Sequence, residues 1–199
     1  MGLVTTSASM SLDGYISGPA ESGFEHLFAW HRNGTVEVAA NDPRWQFSVT
    51  ESTAAHLRQQ LESTGALVVG RRLYDVADAW GGRHPFDVPV FVVTHRPPTD
   101  VPTGSPFRFV TDGVPAAIQQ ARQVAGDRTV GVAAGEMARQ AVAAGLIDEV
   151  HVDLVPVLLG GGTRLFGELD KPVQLGSPRV VDSNGVTHLY YVVGDATTR

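Results

Sequence analysis

Three uninterrupted apolar runs, Ala66–Gly70, Val90–Thr94 and Thr129–Ala134, each end in a short polar or small-residue loop. A run of this length, closed by glycine or polar residues, reads as a strand buried on both faces. Such strands belong to a mostly parallel sheet with helices on either side. Open sheets of this kind bind ligands just beyond the carboxyl ends of their strands. Those ends carry Gly70, Arg71 and Arg72, then Thr94, His95 and Arg96, then Ala134, Gly135, Glu136 and Met137. One sheet edge would therefore hold guanidinium groups, a hydroxyl and a small-residue turn, a set that suits a phosphorylated dinucleotide.

The flanking segments fit an α/β alternation. Leu3–Ser9 reads as a first strand, followed by a loop with Asp13-Gly14 turn chemistry. Residues 20–49 mix Gly, Asn and Pro with scattered aromatics, which suggests an irregular but ordered flap or lid. Thr50 can cap a helix to about Ser63, with Ala54, Ala55, Leu57 and Leu61 as its buried stripe. A helix over 71–79, a strand over 107–111, and helices over 114–125 and 136–144 follow. A long strand, 149–159, is broken by Gly160–Gly162. The tail reads as two strands, 177–182 and 186–193, joined through Asn184-Gly185, a strong hairpin signal.

Composition narrows the function classes. The 199 residues fit a single domain, 1–199, and 43% hydrophobic content is enough for a core. A net charge of −6 with no Lys/Arg run argues against a nucleic-acid partner. Cysteine is absent, which removes disulfides, thiolate nucleophiles and Cys-type zinc sites and fits a reducing compartment. No leader pattern opens the sequence, and no stretch approaches the roughly 18 apolar residues of a membrane span. A cytoplasmic protein with no membrane partner is expected. The seven His residues lack H-E-x-x-H or any tight ligand spacing, so no metal site is expected.

Helix N-termini offer free N–H groups to anions, and paired guanidiniums bind phosphate in bidentate fashion. Gly70-Arg71-Arg72 and Thr94-His95-Arg96 can therefore hold phosphates, while Ala134-Gly135-Glu136 lets backbone approach a pyrophosphate. The G-x-G-x-x-G and Walker-type patterns are both missing.

Several motifs in this order carry a family resemblance: Ser9–Ile16, Val69–Arg72, Val90–Arg96, Ala144–Val150, Pro156–Gly162 and Arg164–Phe166. They resemble the reductase domain that ends the bifunctional riboflavin-biosynthesis deaminase-reductase, and the wider dihydrofolate reductase-like group. The resemblance implies a dihydrofolate reductase-like three-layer sandwich, with a mostly parallel central sheet flanked by helices and a C-terminal antiparallel hairpin. It implies NADPH as hydride donor, held by Gly70, Arg71, Arg72, Thr94, Arg96, Ala134, Gly135, Glu136 and Met137. It further implies a homodimer, with the C-terminal strands as a plausible interface.

The cofactor brings the hydride, so the protein must position an acceptor and supply a proton. Asp13 is the candidate catalytic group, with a structural Asp-Gly turn as the competing role. Ser11, Asp13, Trp80, Leu158 and Gly160 are the candidate substrate contacts. His26, Trp30, His31 and Trp45 could stack on a flat ring or simply form a hydrophobic flap. Arg32, Arg44 and Arg164 are spare cations for a substrate phosphate, and neither Glu51 nor Glu62 sits in a folate-type motif. The expected activity is NADPH-dependent reduction of a small heterocycle, pterin-like or flavin-precursor-like or a specialised metabolite. A non-catalytic nucleotide-binding module and a flavin-dependent enzyme are the alternatives. The reductase reading requires the guanidinium groups to gather at one rim, free of carboxylates.

Overall fold

The computed structural model describes residues 2–194. Twelve strands and five α-helices follow one another along these residues. They begin with β1 (Val4–Ser11), β2 (Tyr15–Ser17), α1 (Phe24–Leu27), β3 (Val36–Ala39), β4 (Gln46–Val49) and α2 (Glu51–Ser63). Next come β5 (Thr64–Gly70), α3 (Arg71–Val76), β6 (Val90–Val93), β7 (Phe107–Val110), α4 (Gly113–Ala125) and β8 (Thr129–Ala133). The last are α5 (Glu136–Ala143), β9 (Glu149–Val155), β10 (Thr163–Arg164), β11 (Arg179–Ser183) and β12 (Val186–Val192).

Eight strands form one sheet in the order β11-β12-β9-β1-β8-β5-β6-β7. Every pairing from β9 to β7 is parallel. The hairpin β11–β12 runs antiparallel and joins the sheet through β9. This is the mostly parallel sheet with a C-terminal antiparallel pair that the apolar runs and Asn184-Gly185 predict.

Alternate strand residues feed the two faces. Val68, Phe91, Val130 and Val152 pack with Val114, Ala117, Ile118 and Ala121 of α4 and Ala141 of α5. On the other face Val69, Val90 and Val92 meet Phe107, Tyr74 and Trp80. Farther along that face lies α2, whose Ala54, Leu57 and Leu61 pack with Trp30, Phe47, Val155 and Val186. Each such buried aliphatic side chain contributes about 1.5–3 kcal/mol.

The structure corrects four local expectations. Residues 36–39 and 46–49 are not irregular; they pair as an antiparallel hairpin. Ala55 is exposed, and the buried stripe of α2 takes in Thr53 and His56 instead. The helix after Gly70 ends at Val76, because Asp78–Gly82 form a turn of left-handed backbone. The strand from Glu149 stops at Val155, before Pro156. Among the described residues no helix is long and apolar enough to cross a membrane.

Candidate active-site cleft

A cleft of about 1260 Å³ opens beyond the carboxyl ends of β5, β6 and β8, with β1 along one wall. Gly70, Arg71 and Arg72 line it from the end of β5, Thr94 and Arg96 from the end of β6. Ala134, Gly135, Glu136 and Met137 line it from the turn between β8 and α5. All nine candidate cofactor residues thus line one cavity.

The turn into α5 depends on Gly135. Its backbone sits at φ 73°, ψ −132°, a region that L side chains rarely adopt. Gly135 N–H donates to the Leu165 carbonyl at 2.7 Å. No side chain caps α5, so its first amides keep their donor capacity toward the cleft. Glu136 lies at this end with its charge paired inside the helix. It accepts from Arg139 at 2.6 and 2.8 Å and from Gln140 at 2.7 Å, and these donors hold its pKa at about 2.

The guanidinium groups share a rim, as required, but the expectation that they stand free of carboxylates fails for Arg71 and Arg72. Arg71 Nε donates to both Asp75 carboxylate oxygens at 2.8 and 2.9 Å, and its Nη1 donates to the Arg96 carbonyl at 2.8 Å. Arg72 pairs with Glu21, which stands on the cleft wall. Among the described residues the Arg96 guanidinium takes no ion-pair partner. Exposed ion pairs of this kind contribute about 0–1 kcal/mol, so an incoming phosphate can displace them. The Thr94 hydroxyl accepts from Arg96 N–H at 3.1 Å and thereby shapes the loop that presents Arg96.

The proposed chemical end is rearranged more substantially. Asp13 does not line the cleft. Its carboxylate accepts from Ser11 Oγ at 2.6 Å, from Leu159 N–H at 3.1 Å and from Gly160 N–H at 2.7 Å. The Ser11 hydroxyl and these two amides hold the carboxyl below the usual carboxylate range. A carboxylate kept ionised this way has no proton to give at neutral pH. Asp13 and Ser11 therefore brace the 156–160 loop, which is the structural alternative for the Asp-Gly turn. Gly160 contributes an amide to that brace, and Leu158 is exposed to solvent. Neither they nor Trp80 lines the cleft; Trp80 stacks over Phe107 with ring centroids 6.2 Å apart.

The flap aromatics also divide. Trp30 is buried and donates Nε1–H to Ser9 Oγ at 3.0 Å. His31 lies against Phe28 and Phe47, where burial pushes its pKa down to about 4. Trp45 and His26 are exposed and are not part of the cleft. Arg44 is spent on Asp42 and on the Trp80, Gly81 and Arg83 carbonyls. Arg164 lies over the Tyr15 ring, 4.7 Å from its centroid. The strand-end reading does not find Ser7, Ser9, Ser17, Phe24, Phe28 and Thr163, which also line the cleft. Ser7 and Ser9 alternate on β1, but only the sheet order places that strand beside β8.

Comparison with solved structures gives the same architecture. A candidate riboflavin biosynthesis protein from Shewanella sp. PV-4 is 24% identical, with a TM-score of 0.68, over 97% of this chain and 99% of the other. The riboflavin biosynthesis reductase of Saccharomyces cerevisiae is 11% identical, TM-score 0.62, over 97% and 90% of the two chains. Dihydrofolate reductase from Enterococcus faecalis, solved with NADP(H), is 16% identical, TM-score 0.55, over 98% of each. No curated protein matches the chain. The family model of the RibD C-terminal domain matches residues 3–184. The sheet order, the cleft at its carboxyl edge and this match over nearly the whole chain agree: the protein belongs to the RibD C-terminal domain family.

Proposed function

We propose that the protein is an NADPH-dependent reductase of a small, flavin-precursor-like heterocycle. The observation that carries this reading is the convergence of Arg71, Arg72, Arg96 and the Gly135 turn on one cleft. The cleft exceeds the 300–1000 Å³ typical of small-ligand sites, enough for a dinucleotide and a second ring. Its donors fit the cofactor: guanidiniums for a ribose phosphate, uncapped α5 amides for a pyrophosphate. When bound, the nicotinamide supplies a hydride. The protein's own share is to bind and orient. Ser7, Ser9, Ser17 and Thr163 offer hydroxyls to the acceptor, and Phe24 and Phe28 offer apolar surface. The family's homodimer is part of the same proposal.

A second reading rests on one observation. Both acids of the cleft, Glu21 and Glu136, are held by Arg72 and Arg139, which suits a module that binds nucleotide without turnover. NADPH oxidation measured against a panel of pterins and pyrimidine flavin precursors separates the two. Turnover with one acceptor supports the reductase; tight NADPH binding with no turnover on any acceptor supports the module. Preference for NADPH over NADH is expected, and Arg96→Ala combined with Arg71→Ala should reduce it about 10–100-fold, the equivalent of one or two charge-assisted hydrogen bonds. Equal affinity of the parent protein for both cofactors would overturn the phosphate assignment.

A further inference from the structure

Behind the β1 wall of the cleft, the sheet face under α2 is polar where a core is ordinarily apolar. Asp153 on β9 is the register partner of Ser9 on β1 and of His188 on β12. His56 of α2 stacks on His188, ring centroids 4.2 Å apart. All three titratable residues are buried, and their ligand atoms lie within 4.8 Å of one another. Among the described residues, no Lys or Arg pairs with Asp153; the side chains facing its carboxylate are the two imidazoles.

Thr53 Oγ1 donates to Ser183 Oγ at 2.8 Å, so its lone pairs are left to accept from His188 Nε2–H at 3.0 Å. A neutral His188 protonated on Nε2 then turns a bare Nδ1 lone pair toward Asp153 Oδ1, 2.7 Å away. Two lone pairs at that distance need either a proton or a metal ion between them. On the other side, Tyr190 Oη engages His56 Nδ1. His56 Nε2, in a residue only 4% exposed, has no hydrogen-bond partner and stands 3.4 Å from the same Asp153 oxygen. Each imidazole thus has its remote nitrogen held by an oxygen and its near nitrogen facing one carboxylate. Oxygen partners on the remote nitrogens are how ligating histidines are oriented around a metal.

We propose that His56 Nε2, Asp153 and His188 Nδ1 form a binding site for a zinc-class divalent cation that ties α2 to β9 and β12. Imidazole and carboxylate together suit Zn²⁺ or Co²⁺ better than Mg²⁺ or Ca²⁺. Zinc bonds of about 2.0–2.2 Å in a tetrahedral shell set ligand atoms about 3.3 Å apart. The His56–Asp153 separation meets that spacing, and the His188–Asp153 contact needs to open by less than an ångström. A second cavity of about 360 Å³, lined by His56, Tyr190, Glu149 and His151, borders the cluster on its His56 side. This site stands apart from the reductase reading. Spacing along the sequence gives no sign of it, because its ligands come from a helix and two distant strands.

The test uses the full chain after chelator treatment, titrated with Co²⁺ and Zn²⁺ alone. One Co²⁺ per chain with the visible absorption of a four-coordinate nitrogen–oxygen site is expected, and Zn²⁺ should displace it and raise the melting temperature. His56→Gln and Asp153→Asn should abolish that absorption. Tyr190→Phe keeps every ligand and should weaken affinity about 10–100-fold, while His151→Gln at the cavity mouth should bind as the parent does. If the ligand variants fail to fold, Tyr190→Phe and the imidazole ¹⁵N resonances of the parent protein decide. A shift of the His56 and His188 resonances on adding Zn²⁺ supports the site. A low-field proton shared by His188 and Asp153 that persists in excess Zn²⁺ overturns it, as does Co²⁺ binding undiminished in His56→Gln.

Discussion

Gly135 shows how much one residue decides in this cleft. A Cβ placed there would meet Ile16 and Thr163 at 3.7 Å, an ordinary contact. Crowding is therefore not the constraint; the backbone is, at φ 73° and ψ −132°. Gly135→Ala should cost about 1–3 kcal/mol through that conformation alone, and it should weaken NADPH binding by re-aiming the first amides of α5. Chemical denaturation with parallel fluorescence titration of NADPH measures both; an unchanged midpoint would show that the turn relaxes freely. Residues such as Gly135, Arg71 and Arg96 are legible in the sequence because each lies within three residues of the end of a strand whose apolar run is unmistakable. Asp13 is not, since its amide partners lie 146 and 147 residues farther along the chain. Turn chemistry alone leaves a proton donor and a brace indistinguishable.

At the scale of elements, the parallel strands are legible and the covering layer is not. Strands buried on both faces announce themselves by continuous apolar runs. The layer over the α2 face depends on side chains that meet only in three dimensions. In α2 the stripe runs through Thr53, His56, Leu57 and Leu61, and a search for apolar residues alone turns it toward Ala55. The turn at Asp78–Gly82 is a sharper case. Asp78, Ala79 and Trp80 hold φ of 47–51°, which costs about 1–2 kcal/mol per non-glycine residue. Arg44, arriving from the β3–β4 connection, satisfies the Trp80, Gly81 and Arg83 carbonyls and helps offset that strain. Beside this turn, His84 packs its ring on Trp80 and Phe86, and its Nδ1 accepts from Phe86 N–H at 3.1 Å. Burial pushes its pKa down to about 4 from 6.5. Between those values the unfolded chain binds the proton that the folded ring refuses, so stability is full above pH 6.5 and falls as pH drops toward 4. Melting temperatures followed from pH 7 to 4 should show this decline, and His84→Phe should make it shallower. His31 contributes a second share over the same window. An identical slope in His84→Phe would mean that the ring is solvated.

For the whole molecule, the two edges of the sheet are unlike. The β7 edge ends a parallel stack, whereas β11 is an antiparallel edge strand with Val180 54% exposed. Unpaired backbone donors and acceptors along such a strand invite pairing with another chain. Nearby Leu3 and Val192 are also exposed, at 40% and 37%. Self-association through this edge would cover apolar surface while leaving the cleft, which opens at the carboxyl ends of β5, β6 and β8, free to exchange ligands. We place the proposed homodimer at this edge. Light scattering coupled to size exclusion should report about twice the chain mass of 21.2 kDa. Val180→Lys places a charge on the edge, a device by which natural strands resist such pairing, and it should shift the protein to the monomer mass with NADPH binding retained. A parent protein that stays monomeric across micromolar concentrations would remove the dimer from the proposal, and a Val180→Lys variant that remains dimeric would move the interface to another surface.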